Sequence, residues 1–130
     1  MHSTPPLLRL FTGLLLLAAC AEPDEFGRCE PLQAITVSSG PVYQFTWQPA
    51  DCDVHTFSVQ SFDAVQWYLS SSDEAANGVH APLTYGSEPE GTLSSGAEDL
   101  VSGRPYTAEM TRIGQDGVEE LVGRQNFTIP

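Results

Sequence analysis

Residues 100–111 read Leu-Val-Ser-Gly-Arg-Pro-Tyr-Thr-Ala-Glu-Met-Thr. From Tyr106 onward the apolar side chains fall on every second position. Tyr106, Ala108 and Met110 point one way, and Thr107, Glu109 and Thr111 the other. A period of two is the mark of a strand with one buried face. Ser102-Gly103 just before it is turn chemistry. The same alternation recurs upstream. Tyr43, Phe45 and Trp47 alternate with Gln44, Thr46 and Gln48; His55, Phe57 and Val59 alternate with Thr56, Ser58 and Gln60; Val65, Trp67 and Leu69 alternate with Gln66, Tyr68 and Ser70. One apolar and one polar face per strand suits antiparallel sheets with one solvated side.

Turn residues separate these runs: Gly40-Pro41, Pro49-Ala50-Asp51, Asn77-Gly78, Gly86, Gly91 and Asp116-Gly117. Asp116-Gly117 is placed to turn a hairpin between the last two strands. Val79–Tyr85 and Gly91–Ser94 read as two further short strands, in an order the sequence does not fix. Beyond residue 20 no apolar run of helical period exceeds a turn or two. The pattern predicts an all-β protein, an antiparallel β-sandwich of about seven strands in roughly 100 residues. Trp47, Phe57, Trp67 and Tyr106 are the expected core, while Tyr68 is expected to lie exposed on a sheet face.

The chain has 130 residues, with 17 acids against 5 arginines, no lysine, and a formal charge of −12. This length allows one domain. So acidic a chain lacks the clustered Lys and Arg that grip nucleic-acid backbones. It also lacks the basic patch that adsorbs to anionic lipid.

The amino-terminal residues stand apart from the fold. Arg9 precedes an apolar run, Leu10 to Ala19, broken only by Thr12 and Gly13. The run is too short to span a bilayer, which takes ~20 residues, and fits the core of a signal peptide. It ends in Leu17-Ala18-Ala19-Cys20. This ending resembles the lipoprotein signature of bacteria, in which the Cys is lipidated and becomes the first mature residue. The resemblance implies a signal peptide over residues 1–19 and lipid attachment at Cys20. The alternative is an ordinary signal-peptidase site cut after Ala21. In the sorting pattern of such lipoproteins, an Asp after the Cys retains the protein at the inner membrane. Ala21 stands there, which favours the outer membrane in a Gram-negative source. Residues 20–31, rich in acids and proline, then read as a tether, and residues 32–130 as the domain. With Cys20 lipidated, Cys29 and Cys52 remain as a candidate disulfide in an oxidising compartment; the alternative is two free buried thiols.

Three stretches give the domain a resemblance to the fibronectin type III family, an immunoglobulin-like sandwich. Phe45-Thr46-Trp47-Gln48-Pro49 is similar to its second strand, and Phe127-Thr128-Ile129-Pro130 to its closing strand. Leu100, Gly103 and Tyr106 match its Leu-x-x-Gly-x-x-Tyr stretch. The last resemblance implies a tyrosine corner, with the ring of Tyr106 in the core and its hydroxyl bonded to an upstream backbone group. The region between Ser70 and Gly96 fits the family poorly. In this fold the amino-terminal end and the loop after the second strand share one pole, which makes a Cys29–Cys52 bridge reasonable. The loops near Ser61–Asp63 and Gly96–Arg104 would then form the opposite pole.

No catalytic motif stands out. There is no His-Glu-x-x-His, Gly-x-Ser-x-Gly or phosphate-loop pattern, and lysine chemistry is excluded by composition. His55 reads as a core-edge residue and His80 as a solvated one. The acid pairs Asp51/Asp53, Asp73/Glu74, Glu88/Glu90, Glu98/Asp99 and Glu119/Glu120 single out no glycosidase pair. Asp51-x-Asp53 reads as a solvated loop, and no calcium loop is present. Asn126-Phe127-Thr128 matches a glycosylation triplet, a coincidence in a bacterial lipoprotein. The expectation is therefore a lipid-anchored cell-envelope protein with no catalytic residues, cofactor or metal. Its membrane contact runs through Cys20, and its partner is an envelope protein and not nucleic acid. The alternative is a carbohydrate-binding or small hydrolytic envelope protein.

Overall fold

The computed structural model describes Cys29, residues 34–38 and residues 40–130. The signal peptide, Cys20 and most of the tether lie outside the described residues. Eight strands follow in chain order: β1 (Ala34–Ser38), β2 (Gln44–Gln48), β3 (Thr56–Gln60), β4 (Val65–Ser71), β5 (Leu83–Thr84), β6 (Thr92–Ser94), β7 (Pro105–Ile113) and β8 (Glu119–Thr128). They form a three-stranded sheet, β1-β2-β5, and a five-stranded sheet, β6-β4-β3-β7-β8. Every ladder is antiparallel. The two sheets pack as an immunoglobulin-like β-sandwich.

The core follows from the alternation. Phe45 and Trp47 of β2 face Phe57 and Val59 of β3, Trp67 and Leu69 of β4, and Ala108 and Met110 of β7, all fully buried. Phe57 lies at the centre of the aromatic cluster, 4.9 Å from Phe45, 5.9 Å from Trp47 and 6.0 Å from Trp67, centroid to centroid. Both buried indoles satisfy their N–H. Trp47 donates to the Cys52 carbonyl at 2.7 Å and Trp67 to Ser94 Oγ at 3.0 Å. Tyr68 is exposed, as its phase implied.

Three local differences have physical causes. Along β3 the polar positions Thr56 and Ser58 are buried too, because β3 lies inside its sheet between β4 and β7. Thr56 Oγ1 bonds Thr111 Oγ1, and Ser58 Oγ accepts from Gln60. Val79–Tyr85 does not run as one strand. Val79 makes a lone bridge to Val54, and only Leu83–Thr84 joins β2. Pro82 between them has no N–H to donate to a ladder. The last hairpin turns over Gly114–Val118, wider than the Asp116-Gly117 pair alone. Gly114 N–H donates to Val118 O, and Gly117 takes a positive φ of 79°.

Tyr106 is buried, and the Val101 N–H donates to its hydroxyl oxygen at 2.7 Å. Gly103 in between has a φ of 81° and donates its N–H to Ile129 O. The hydroxyl thus fastens the 100–104 turn to the sandwich end. Tyr106→Phe keeps the ring and removes the acceptor. A loss of ~1 kcal/mol is expected, read as a lower urea midpoint at unchanged slope; an unchanged midpoint would show that the bond contributes nothing.

Candidate functional site

Strand β3 connects two dissimilar poles. Cys52 lies shortly before it, and Cys52 and Cys29 form a disulfide, with Cα atoms 5.7 Å apart. At its other end β3 passes through a bulge at Val59/Gln60 into the turn 61–64.

The disulfide pole carries both histidines of the domain. His55 is buried, and its Nδ1 lies 2.6 Å from the Ala76 carbonyl. A carbonyl only accepts, so Nδ1 carries the proton. Nε2 then points toward Glu119, whose Oε1 is 4.0 Å away. His80 Nδ1 meets Asp53 Oδ1 at 2.6 Å on the surface, and the Arg112 Nε–H donates to the Asp53 carbonyl at 3.0 Å. The Asn77 amide bonds both backbone groups of Ile113 and ties the 72–78 loop to the end of β7. Among the described residues, neither histidine bonds a Ser, Thr or Cys side chain. Among them too, no three metal-ligating side chains converge. Asp53 of the Asp51-x-Asp53 pattern is engaged with His80. Hydrogen bonds thus close the loops of this pole.

The opposite pole brings together Ser61, Phe62 and Asp63 with Arg104 and Pro105, which line one open hollow of about 270 Å³. The turn is braced from within. Ser61 N–H and Oγ both reach the Ala64 carbonyl, and Gln66 Nε2 donates to Ser61 Oγ at 3.0 Å. Phe62 at its tip is fully exposed, at 102% of its reference area. A second hollow of about 290 Å³ shares Ser61, Phe62 and Pro105 with it and is lined also by Gln60, Tyr106, Thr107 and Asn126. Its floor is the outer face of the five-stranded sheet. Gln60 stands opposite Thr107, and Thr107 opposite Asn126. Beside this row Glu109 pairs with Arg124 at 3.0 Å and accepts from Gln60 Nε2 at 3.2 Å. Tyr85, farther along the 83–100 region, donates its hydroxyl to the Glu98 carbonyl. Burial, followed by the charges nearby, pushes its pKa up to about 12, so the phenol stays protonated.

Leu100, Gly103 and Tyr106 lie at this same pole, and Cys29 with Cys52 at the other. Sequence reading missed Phe62. The one available signal was an aromatic residue inside the polar gap between Gln60 and Val65, where a turn gives it nothing to pack on. Comparison with family models, curated proteins and solved structures finds no match for this chain.

Proposed function

We propose that this protein is a non-enzymatic accessory module of the bacterial cell envelope, held by lipid on Cys20, on the outer membrane of a Gram-negative source. It presents the pole opposite its anchor to another envelope component. The observation that carries this reading is the placement of Phe62. A fully exposed aromatic ring stands at the end of β3 remote from the disulfide. A large apolar ring so displayed, on a turn braced by its own hydrogen bonds, is a pre-ordered contact point for another molecule.

The fibronectin type III-like reading of the domain draws support from the strand order. Setting β6 aside as an added edge, the sheets β1-β2-β5 and β4-β3-β7-β8 match the pattern A-B-E against C′-C-F-G of immunoglobulin-like sandwiches. Tyr106 then falls on the sixth strand and Phe127-Thr128 on the last. A non-enzymatic role draws support from the histidines, whose ring nitrogens meet a backbone carbonyl and carboxylates.

The test of the anchor is Cys20→Ala. The variant should leave the membrane fraction and appear soluble; retention on membranes would refute lipid attachment at Cys20. Processing removes Arg9 and no acid, so the mature chain is one unit more negative than the −12 of the whole. Its only primary amine is that of Cys20. For orientation, single cysteines placed at Asp51 and Asp63 on intact membranes should label preferentially at Asp63; the reverse would invert the proposed arrangement.

A further inference from the structure

We propose that the hollow between Phe62 and the Gln60–Thr107–Asn126 row binds a neutral saccharide chain. This rests on reading the domain as a contact module and names the class of its ligand.

Phe62 supplies an apolar ring with both faces open, suited to stacking on the C–H face of a pyranose. The floor supplies what sugar hydroxyls need. The Thr107 hydroxyl donates to Asn126 Oδ1 at 2.9 Å, which fixes that amide and leaves its Nδ2 directed away. Gln60 Nε2 is held by Ser58 and Glu109, which leaves Oε1 to accept. No described residue takes up Asn126 Nδ2 or Gln60 Oε1. One donor and one acceptor, each pre-set by a neighbour, therefore flank Thr107. They lie two strand spacings apart, ~10 Å, about the length of two linked pyranose rings.

Charge narrows the ligand. Glu109 is neutralised by Arg124 beside the row, so the floor is uncharged. Asp63 and Arg104 of the adjoining hollow offset one another in charge, while the whole chain carries −12. An anionic glycan would meet like charge, and a neutral one meets none. The setting of Phe62 also argues against a protein ligand. A stable protein interface covers ~800 Å² per partner around an apolar centre. Here Gln60, Ser61, Asp63, Thr107 and Asn126 surround a lone exposed ring. A small apolar platform beside planar amides is the balance that sugar recognition uses, with few placed polar groups fixing orientation.

The full-length lipidated protein in detergent should be retained on at least one of three neutral polysaccharides, cellulose, chitin and insoluble mannan. Phe62→Ala should lower retention on the order of tenfold, the equivalent of ~1.4 kcal/mol. Asn126→Ala should also lower it, Phe62→Tyr should keep it, and Leu93→Ala, exposed on β6, should leave it unchanged. Thermal midpoints equal to the parent's establish that the variants fold. Absence of retention on all three polysaccharides, or equal retention of Phe62→Ala, overturns the proposal. None of these outcomes bears on the membrane release of Cys20→Ala, which tests the anchor, or on the labelling at Asp51 and Asp63, which tests separately whether this pole is presented outward.

Discussion

Trp47→Ala should cost the domain ~3–5 kcal/mol, the largest loss expected from any single substitution here. Trp47 is buried to 1%, stacks on Phe57 at 5.9 Å with planes inclined by 22°, and donates its indole N–H to the Cys52 carbonyl. Truncation removes all three contributions at once. It opens a void between the sheets, strips Phe57 of one face, and leaves a buried carbonyl beside the disulfide without its donor. A domain of this size has only ~5–15 kcal/mol in total. The melting temperature should therefore fall by roughly 4–8 °C per kcal/mol lost, and part of the protein will be unfolded at ambient temperature. Trp47→Phe separates the contributions. It keeps most of the burial and loses the donor, so its loss should be ~1–3 kcal/mol, the cost of the orphaned carbonyl. Trp67 remains in both variants as the fluorescent reporter. A Trp47→Ala midpoint no lower than that of Leu93→Ala would contradict the assignment of Trp47 to the core.

The reason Trp47 could be placed from sequence also limits what else could be. Period two assigns each side chain of a strand to a face, and for β2, β4 and β7 the assignment of Phe45, Trp67 and Tyr106 follows directly. It carries no information on which strand lies beside which. Thr56 and Ser58 look solvated from their phase and are buried by position, because β3 is internal to its sheet. The Gln60–Thr107–Asn126 row depends on two registers, β3 with β7 and β7 with β8, and a bulge at Met110/Thr111 shifts the second. No sequence pattern marks that bulge. Asn77 shows the same limit at the other pole. As Asn77-Gly78 it reads as turn chemistry, yet its amide serves as a strand-like partner for Ile113 across 36 residues. The poles were expected from the resemblance to the fibronectin type III sandwich, and chain direction explains them. Once β3 and β7 are antiparallel neighbours, the Ser61–Asp63 and Arg104 loops must share an end, and Cys52 must lie at the other. The pairing of Cys29 with Cys52 was expected for a simpler reason: on the proposal that Cys20 carries lipid, these two are the cysteines that remain.

Removal of that disulfide, by Cys29→Ser with Cys52→Ser, should destabilise the domain by ~3 kcal/mol in the loop-entropy description. The bridge joins residues 23 apart and encloses β1 and β2. Without it, the denatured chain gains the freedom of that loop, so the urea slope should rise as the midpoint falls. Both sulfur atoms belong to buried residues, at 4% and 2% exposure. Serine there adds two hydroxyls in apolar surroundings, so paired Ala substitutions isolate the cross-link from that penalty. An Ala pair with unchanged midpoint and slope would mean that the bridge contributes no stability. The change also reaches the membrane. With the bridge intact, the nine residues from Cys20 to Cys29 separate the proposed lipid from the folded body, a reach of at most ~30 Å. Opening it moves the first fixed point to β1, which begins at Ala34, so the span grows to fourteen residues and ~50 Å. The proposed attachment at Cys20 is untouched, so the paired variant should stay in the membrane fraction while its domain melts earlier. Cys20→Ala should do the reverse, leaving the membrane with its melting temperature intact. That crossed result separates the anchor from the staple. Loss of membrane binding in the paired variant would mean that the fold, and not the lipid alone, holds the protein to the envelope.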